Sequence, residues 1–240
     1  MIKSLVEMRS GRKDLTPFCI VSLIAGFGLH VAADGSFSFD ESKDFLAPAS
    51  SWPAWQQVLD QHHLVEQADI RTCVEHEELC STRLRSVGHV IRRGQTLPTR
   101  KKIQLVNRFI NKRKYRRDRR SKAKDLALSA NGTRNTWSTL TSFLRRGGDC
   151  EDYATAKYFI MREMGFKAKD MRIVVSWDKK EHAYHARLAV RLEEKILWLE
   201  NDNSIHRSTQ NSLFRHVYSI NEENIWDHQS PDNQHERKLI

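Results

Sequence analysis

The run Gly147-Gly148-Asp149-Cys150-Glu151-Asp152-Tyr153 packs two glycines, a cysteine and three carboxylates into seven residues. Two successive glycines let the backbone turn sharply and let another chain approach closely. Asp149 then stands where a helix cap belongs, and Tyr153, Ala156, Ile160 and Met164 recur at helical spacing before Gly165 ends the pattern. Cys150 therefore opens a helix. A thiol there gains from the unpaired N–H groups and the helix dipole, which favour its thiolate, the form that acts as a nucleophile. The neighbours pull the other way. Asp149, Glu151 and Asp152 place negative charge beside the sulfur and raise its pKa. A hard cation held by those oxygens would offset that charge, and calcium accepts such clusters; plain helix capping is the alternative use of the same residues.

Downstream the hydrophobic period changes from helical to alternating. Met171–Trp177, Tyr184–Leu192 and Lys195–Asn203 read as strands. With Glu193-Glu194 as a turn, Leu188 opposes Leu199, Val190 opposes Leu197 and Arg187 opposes Glu200, so apolar meets apolar and charge meets countercharge. The same register sets His185 opposite Asp202, the expected base and the carboxylate that orients it. Upstream, Trp52, Trp55, Val58 and Leu59 mark a helix entered at Ser51. A second helix is expected over 66–93, and a third, capped by Thr99, carries Ile103, Val106, Phe109 and Ile110. Thr139 to Arg146 forms a short helix before the double glycine. Helices followed by strands predict an α+β fold.

The ends of the chain carry other signals. Lys3, Arg9, Arg12 and Lys13 precede the apolar run Phe18–Ala33, which closes on Val31-Ala32-Ala33, the layout of a signal peptide cut after Ala33. Residues 34–50 read as a flexible lead-in, 51–226 as one domain and 227–240 as a polar tail. The cut chain keeps Cys73, Cys80 and Cys150. Cys73 and Cys80 can pair only if the chain bends between them, since seven residues of continuous helix rise about 10 Å. Both the paired and unpaired states stay open. The net charge of +10 is local, because Arg100–Lys124 holds thirteen Lys/Arg and the single acid Asp118. A solvated helix face accounts for that segment better than nucleic-acid binding in an exported protein.

The run GGDCEDYATAKYFIMREMG, with Leu105-Val106-Asn107 and Phe109-Ile110-Asn111 upstream, Trp137 ahead of it and Tyr218-Ser219-Ile220-Asn221 downstream, resembles the LapG-type bacterial transglutaminase-like cysteine proteinases. The resemblance spans about residues 50–226 and implies a papain/transglutaminase-like fold with a Cys-His-Asp triad. It implies a periplasmic, calcium-dependent endopeptidase that cuts a large repeat adhesin near its N-terminus, typically at an alanine pair, and so releases biofilm cells. The partner it implies is a LapD-like cyclic-di-GMP receptor at the inner membrane, which sequesters the proteinase. On this sequence Cys150 matches the nucleophile, Asp149, Glu151 and Asp152 match the calcium segment, and His185 matches the histidine opening a strand. The sequence departs from the family where a Leu-Asp-Asn run is usual. Leu199-Glu200-Asn201 and Asp202-Asn203 compete for that place, and strand pairing favours Asp202. Two other functions use the same features: acyl transfer to an amine at the same cysteine, or non-catalytic binding through the basic segment.

Overall fold

Pro53, with its fixed φ, starts helix α1 (Pro53–Gln61), whose buried stripe is Trp55, Val58 and Leu59. Trp52 occupies the cap position, and the expected Ser51 cap is not made. A π-helical turn, His62–Glu66, leads into α2 (Gln67–Glu75). The computed structural model describes residues 37–39, 44–117, 137–207 and 213–228. The chain divides into two units, Met1–Ala33 and Asp34–Ile240, and every described residue belongs to the second. The expected signal segment, most of the 227–240 tail and residues 118–124 of the basic stretch lie outside the described residues.

The single helix expected over 66–93 is interrupted. Helix α2 ends where His76 leaves helical geometry (φ −133°, ψ 81°), and a short 3₁₀ turn, Glu77–Leu79, follows. That bend brings Cys73 and Cys80 together, with Cα atoms 4.4 Å apart, as a disulfide. Helix α3 (Arg85–Gln95) and α4 (Thr99–Ile110) then bury one face each, Val87, Val90 and Ile91 on the first and Ile103, Val106 and Ile110 on the second. Thr139 caps α5 (Leu140–Arg146) by accepting a hydrogen bond from the Ser142 N–H. Helix α6 (Cys150–Glu163) is buried along nearly its whole length, from Cys150 to Met161. A helix apolar or paired all round belongs at the centre of a fold.

Seven strands form one antiparallel sheet among the described residues: β1 (Phe45–Pro48), β2 (Met171–Asp178), β3 (Ala183–Leu192), β4 (Lys195–Leu199), β5 (Ile205–Arg207), β6 (Phe214–Ile220) and β7 (Asn224–Asp227). Their spatial order is β1-β7-β6-β2-β3-β4-β5. The expected lead-in is thus partly structured, because Phe45–Pro48 pairs with β7 as an edge strand. Helix α6 packs on β2 and β3. Ile173, Val175, Leu188, Val190, Leu197 and Leu199 point into that interface and belong to the main core. Full burial of each such side chain stabilises by about 1.5–3 kcal/mol. The alternate residues Val174, Ala189 and Trp198 face the other way, where Phe37 and Phe39 cover them. No helix among the described residues is long and apolar enough to cross a membrane.

One polar cluster fixes the helices that carry the site. His62 is buried against the Phe159 ring, centroids 3.9 Å apart, with Nδ1 3.3 Å from Glu66 and Nε2 3.2 Å from Glu163. The second Glu66 oxygen accepts from the Thr141 N–H at 2.7 Å and from its hydroxyl at 2.5 Å. Burial works against a charged His62, yet the hydrogen bonds it donates to both glutamates win and raise its pKa. A histidine between two carboxylates therefore ties the π-turn to the start of α5 and the end of α6.

Candidate active site

The double glycine is required by what surrounds it. Gly147 holds φ +73°, ψ −167°, a region open essentially to glycine alone. An added Cβ at Gly147 would sit 2.0 Å from the Lys114 carbonyl oxygen, and one at Gly148 would sit 2.0 Å from Asp152 Oδ2. The chain at Tyr115 runs parallel to Gly148, and the Arg116 N–H donates to the Gly148 carbonyl at 2.8 Å. The turn is clamped between that segment and the Asp152 carboxylate, and it delivers Cys150 to the first turn of α6.

Cys150 is the free cysteine of the described residues and is buried. Its sulfur meets the backbone N–H of Ala186, which follows His185 on β3 and favours the thiolate. Burial opposes it, and Glu151 and Asp149 add their charge, so the thiol pKa stands well above its usual value. The thiol donates to Glu151 Oε2 at 3.4 Å, and among the described residues no hydrogen bond joins it to the His185 ring. The pKa-lowering effect expected of the helix start is outweighed here.

Asp149, Glu151 and Asp152 are all buried. Asp149 holds the cap position without a side-chain cap bond. Burial first, then the charge of Asp149 and a hydrogen bond with it, push the Glu151 pKa well up. Asp152 Oδ1 accepts from the Ser138 N–H at 2.7 Å and so fastens the start of the preceding segment. The expected three-carboxylate metal set is not assembled, since among the described residues no three His, Cys, Asp or Glu side chains are placed to share an ion. The oxygen chemistry of the donors still suits a hard cation, with Asp149 and Glu151, which already meet, as the residues to hold it.

The expected hairpin register is observed, with Leu188 opposite Leu199 and Val190 opposite Leu197. The residue expected to orient His185 is corrected. His185 Nε2 lies 2.8 Å from Glu200 Oε2, while the other carboxylate oxygen of Glu200 accepts from Arg187 Nη1 at 3.3 Å. Asp202 turns away, its Oδ1 accepting from the Ser204 N–H at 2.9 Å and the Ser204 hydroxyl at 2.6 Å. Strand pairing stops at Leu199, and Asn203 takes φ +75°, so the ladder that would have aligned Asp202 with His185 has already bent away. Glu200 reaches His185 diagonally, from the position opposite Arg187, a reach that long side chains allow.

Several residues hold Glu200. Arg187 is sandwiched between the Trp198 and Phe214 rings, 4.4 Å and 3.9 Å from their centroids. Burial alone would raise the Glu200 pKa, but the hydrogen bond from His185 and the Arg187 charge lower it, so the carboxylate is ionised. Its backbone carbonyl accepts from Lys157 Nζ at 2.6 Å and Asn111 Nδ2 at 2.8 Å. Asn107 Nδ2 donates to the Asn203 carbonyl at 3.1 Å. Asn107 of α4, Asn111 at its C-cap and the buried lysine of α6, pushed down to about 7 by burial, anchor the bend after β4. Across β2, Ser176 pairs with both His185 and His216. His216, lowered to about 3 by burial and by Arg187, stays neutral. Sequence reasoning quoted Asn107 and Asn111 without a role and missed Lys157 and His216; a lysine in the apolar stripe of a central helix was the available signal.

A sheet carrying a paired histidine, against which a central helix presents a cysteine at its N-terminus, defines a thiol enzyme of the transglutaminase-like class. Residues 68–233 match the model of the bacterial transglutaminase-like cysteine proteinases, and the chain belongs to that family. Among solved structures, calcium-bound LapG of Legionella pneumophila is similar at 26% identity, with a TM-score of 0.52, over 60% of this chain and 77% of that one. A second structure of that LapG gives 20% identity and a TM-score of 0.54 over 72% and 91% of the two chains. An EGTA-treated form gives 22% and 0.54 over 68% and 86%. A search of the curated proteins found no match.

Proposed function

We propose that this chain is a periplasmic, calcium-dependent cysteine endopeptidase that cuts the N-terminal region of a large surface adhesin, with Cys150, His185 and Glu200 as its triad. The observation that carries this reading is the 2.8 Å His185–Glu200 pair on the strand whose next residue, Ala186, touches the Cys150 sulfur. Glu200 accepts from Nε2–H of His185 and so leaves Nδ1 as the basic nitrogen. The thiol turns from Glu151 Oε2 to that Nδ1 and gives up its proton, and the thiolate sulfur bonds to the peptide carbonyl carbon. As the C–N bond breaks, His185 returns the proton to the departing amine. Water, deprotonated by the same nitrogen, then opens the thioester and frees Cys150. Calcium, when bound, would supply positive charge against the acids that hold the thiol pKa up. Asp149 and Glu151 would hold it. The Cys73–Cys80 disulfide supports an oxidising compartment, and a LapD-like receptor at the inner membrane is the partner the family resemblance suggests.

The test is cleavage of a purified adhesin N-terminal region with calcium, with chelator, and with the Cys150→Ala chain. The expected result is one cut made only by the calcium-loaded intact chain. Equal cutting by Cys150→Ala would overturn the reading.

A further inference from the structure

A groove of about 940 Å³ runs between α3 and α4, on the basic segment that the reaction does not use. Its rims are exposed cations at helical intervals. Arg85 and Arg93 stand two turns apart on α3, and Lys101, Arg108 and Lys112 follow one stripe along α4 and its end. None of these five has an acidic partner among the described residues, and the rim acid Glu77 is already held by Arg92 at 2.7 Å. Between the rims lie the apolar Val90, Leu97, Leu105 and Phe109, the last three half-buried, with Ser86, His89 and Gln104 among them.

Unpaired cations flanking apolar groups in a groove are complementary to one kind of chain: carboxylates along its sides and aliphatic groups beneath. A bilayer surface is too flat to reach the floor. Nucleic acid would satisfy the cations and leave Leu97 and Leu105 without an apolar contact. Lys112, at one end of the lining, lies three residues before Tyr115, which pairs with Gly148. Between them Arg113 donates to the Leu144 carbonyl at 3.4 Å and the Ser86 hydroxyl at 3.5 Å.

We infer that this groove docks an acidic, amphipathic segment of the substrate polypeptide, outside the residues cut at Cys150. The inference rests on the proteinase reading for the identity of the occupant, and its test does not need catalysis. A fluorescent peptide with Glu on one helical face and Leu on the other is titrated into the Cys150→Ala chain. The comparison probes are its Lys-for-Glu counterpart, a DNA duplex and phosphatidylglycerol vesicles. The Glu/Leu peptide binds in preference to all three, binding weakens with salt, and Arg93→Glu/Lys101→Glu/Arg108→Glu loses at least about tenfold in affinity. A melting curve matching the parent shows that the triple variant is folded; if it is not, Arg93→Glu alone is compared. In the active chain the same charge reversal raises KM for a substrate joined to the acidic peptide and leaves kcat unchanged. Preference for the Lys peptide, DNA or vesicles, or undiminished binding by the reversed variant, overturns the inference. Failure of the proteinase reading shows separately, as absence of thiol labelling with peptide binding retained.

Discussion

At Glu200 one carboxylate serves two donors, His185 through Oε2 and Arg187 through Oε1. Arg187 is buried, so its charge has no recourse to water and pins the carboxylate in place. In the proposed triad, Glu200 thereby fixes the tautomer of His185 and supports the imidazolium that forms when Cys150 loses its proton. Glu200→Gln should therefore lower kcat by a factor on the order of 10³–10⁴. Asp202→Asn, which removes only an exposed turn bond to Ser204, should change it less than about threefold. Steady-state kinetics of both variants on one peptide substrate checks the pair. The reversed assignment shows how far strand counting reaches. Alternation and charge in residues 187–200 made the hairpin register legible. Where pairing stops was not legible, because the Asp202–Ser204 turn, with Asn203 at positive φ, exchanges ladder bonds for local side-chain bonds. Counting opposed pairs also overlooks a diagonal contact, which is the one His185 makes.

Two elements set the position of Cys150, the turn before α6 and the polar staple behind it. Gly147→Ala meets both a forbidden φ and a rigid carbonyl, and should cost about 1–3 kcal/mol of stability from backbone strain alone. Gly148→Ala displaces the Asp152 carboxylate, so activity should fall further than melting temperature. Thermal melts and turnover of both variants test this. The staple predicts a pH window. Glu66 and Glu163 have lowered pKa values, chiefly through hydrogen bonds with His62 that overcome burial. Their contribution is present above about pH 4.5 and is lost as pH falls through their folded values. The pKa of His62 is raised, so its contribution is complete below about 6.5 and is lost as pH rises through the folded value. Stability should peak between these limits. His62→Leu should cost about 3–5 kcal/mol and abolish the decline above 6.5, as denaturant melts across pH would show. The helices themselves were legible from their stripes. The break after α2 was not, because residues 66–93 carry no proline and place their apolar residues at spacings that fit one helix.

On the scale of the whole molecule, the α+β order, the central helix and the strand hairpin follow from a hydrophobic period that changes after Gly165. The edge strand β1 escaped the reading because Phe45–Pro48 is short and largely exposed, and its pairing with β7 joins residues almost 180 positions apart. The cysteine count allowed one pair and one free thiol, and the bend at His76 explains why Cys73 meets Cys80 while Cys150 stays reduced. That division makes the central claim directly measurable. The chain cut after Ala33, loaded with calcium, is treated with an irreversible peptidyl electrophile, and the adducts are followed by intact mass and peptide mapping. One adduct, on Cys150, is predicted. Its rate should fall at least about hundredfold in His185→Ala and Glu200→Gln and stay unchanged in Asp202→Asn. Labelling that spreads to other sites, or that proceeds at the parent rate without His185, would contradict the account.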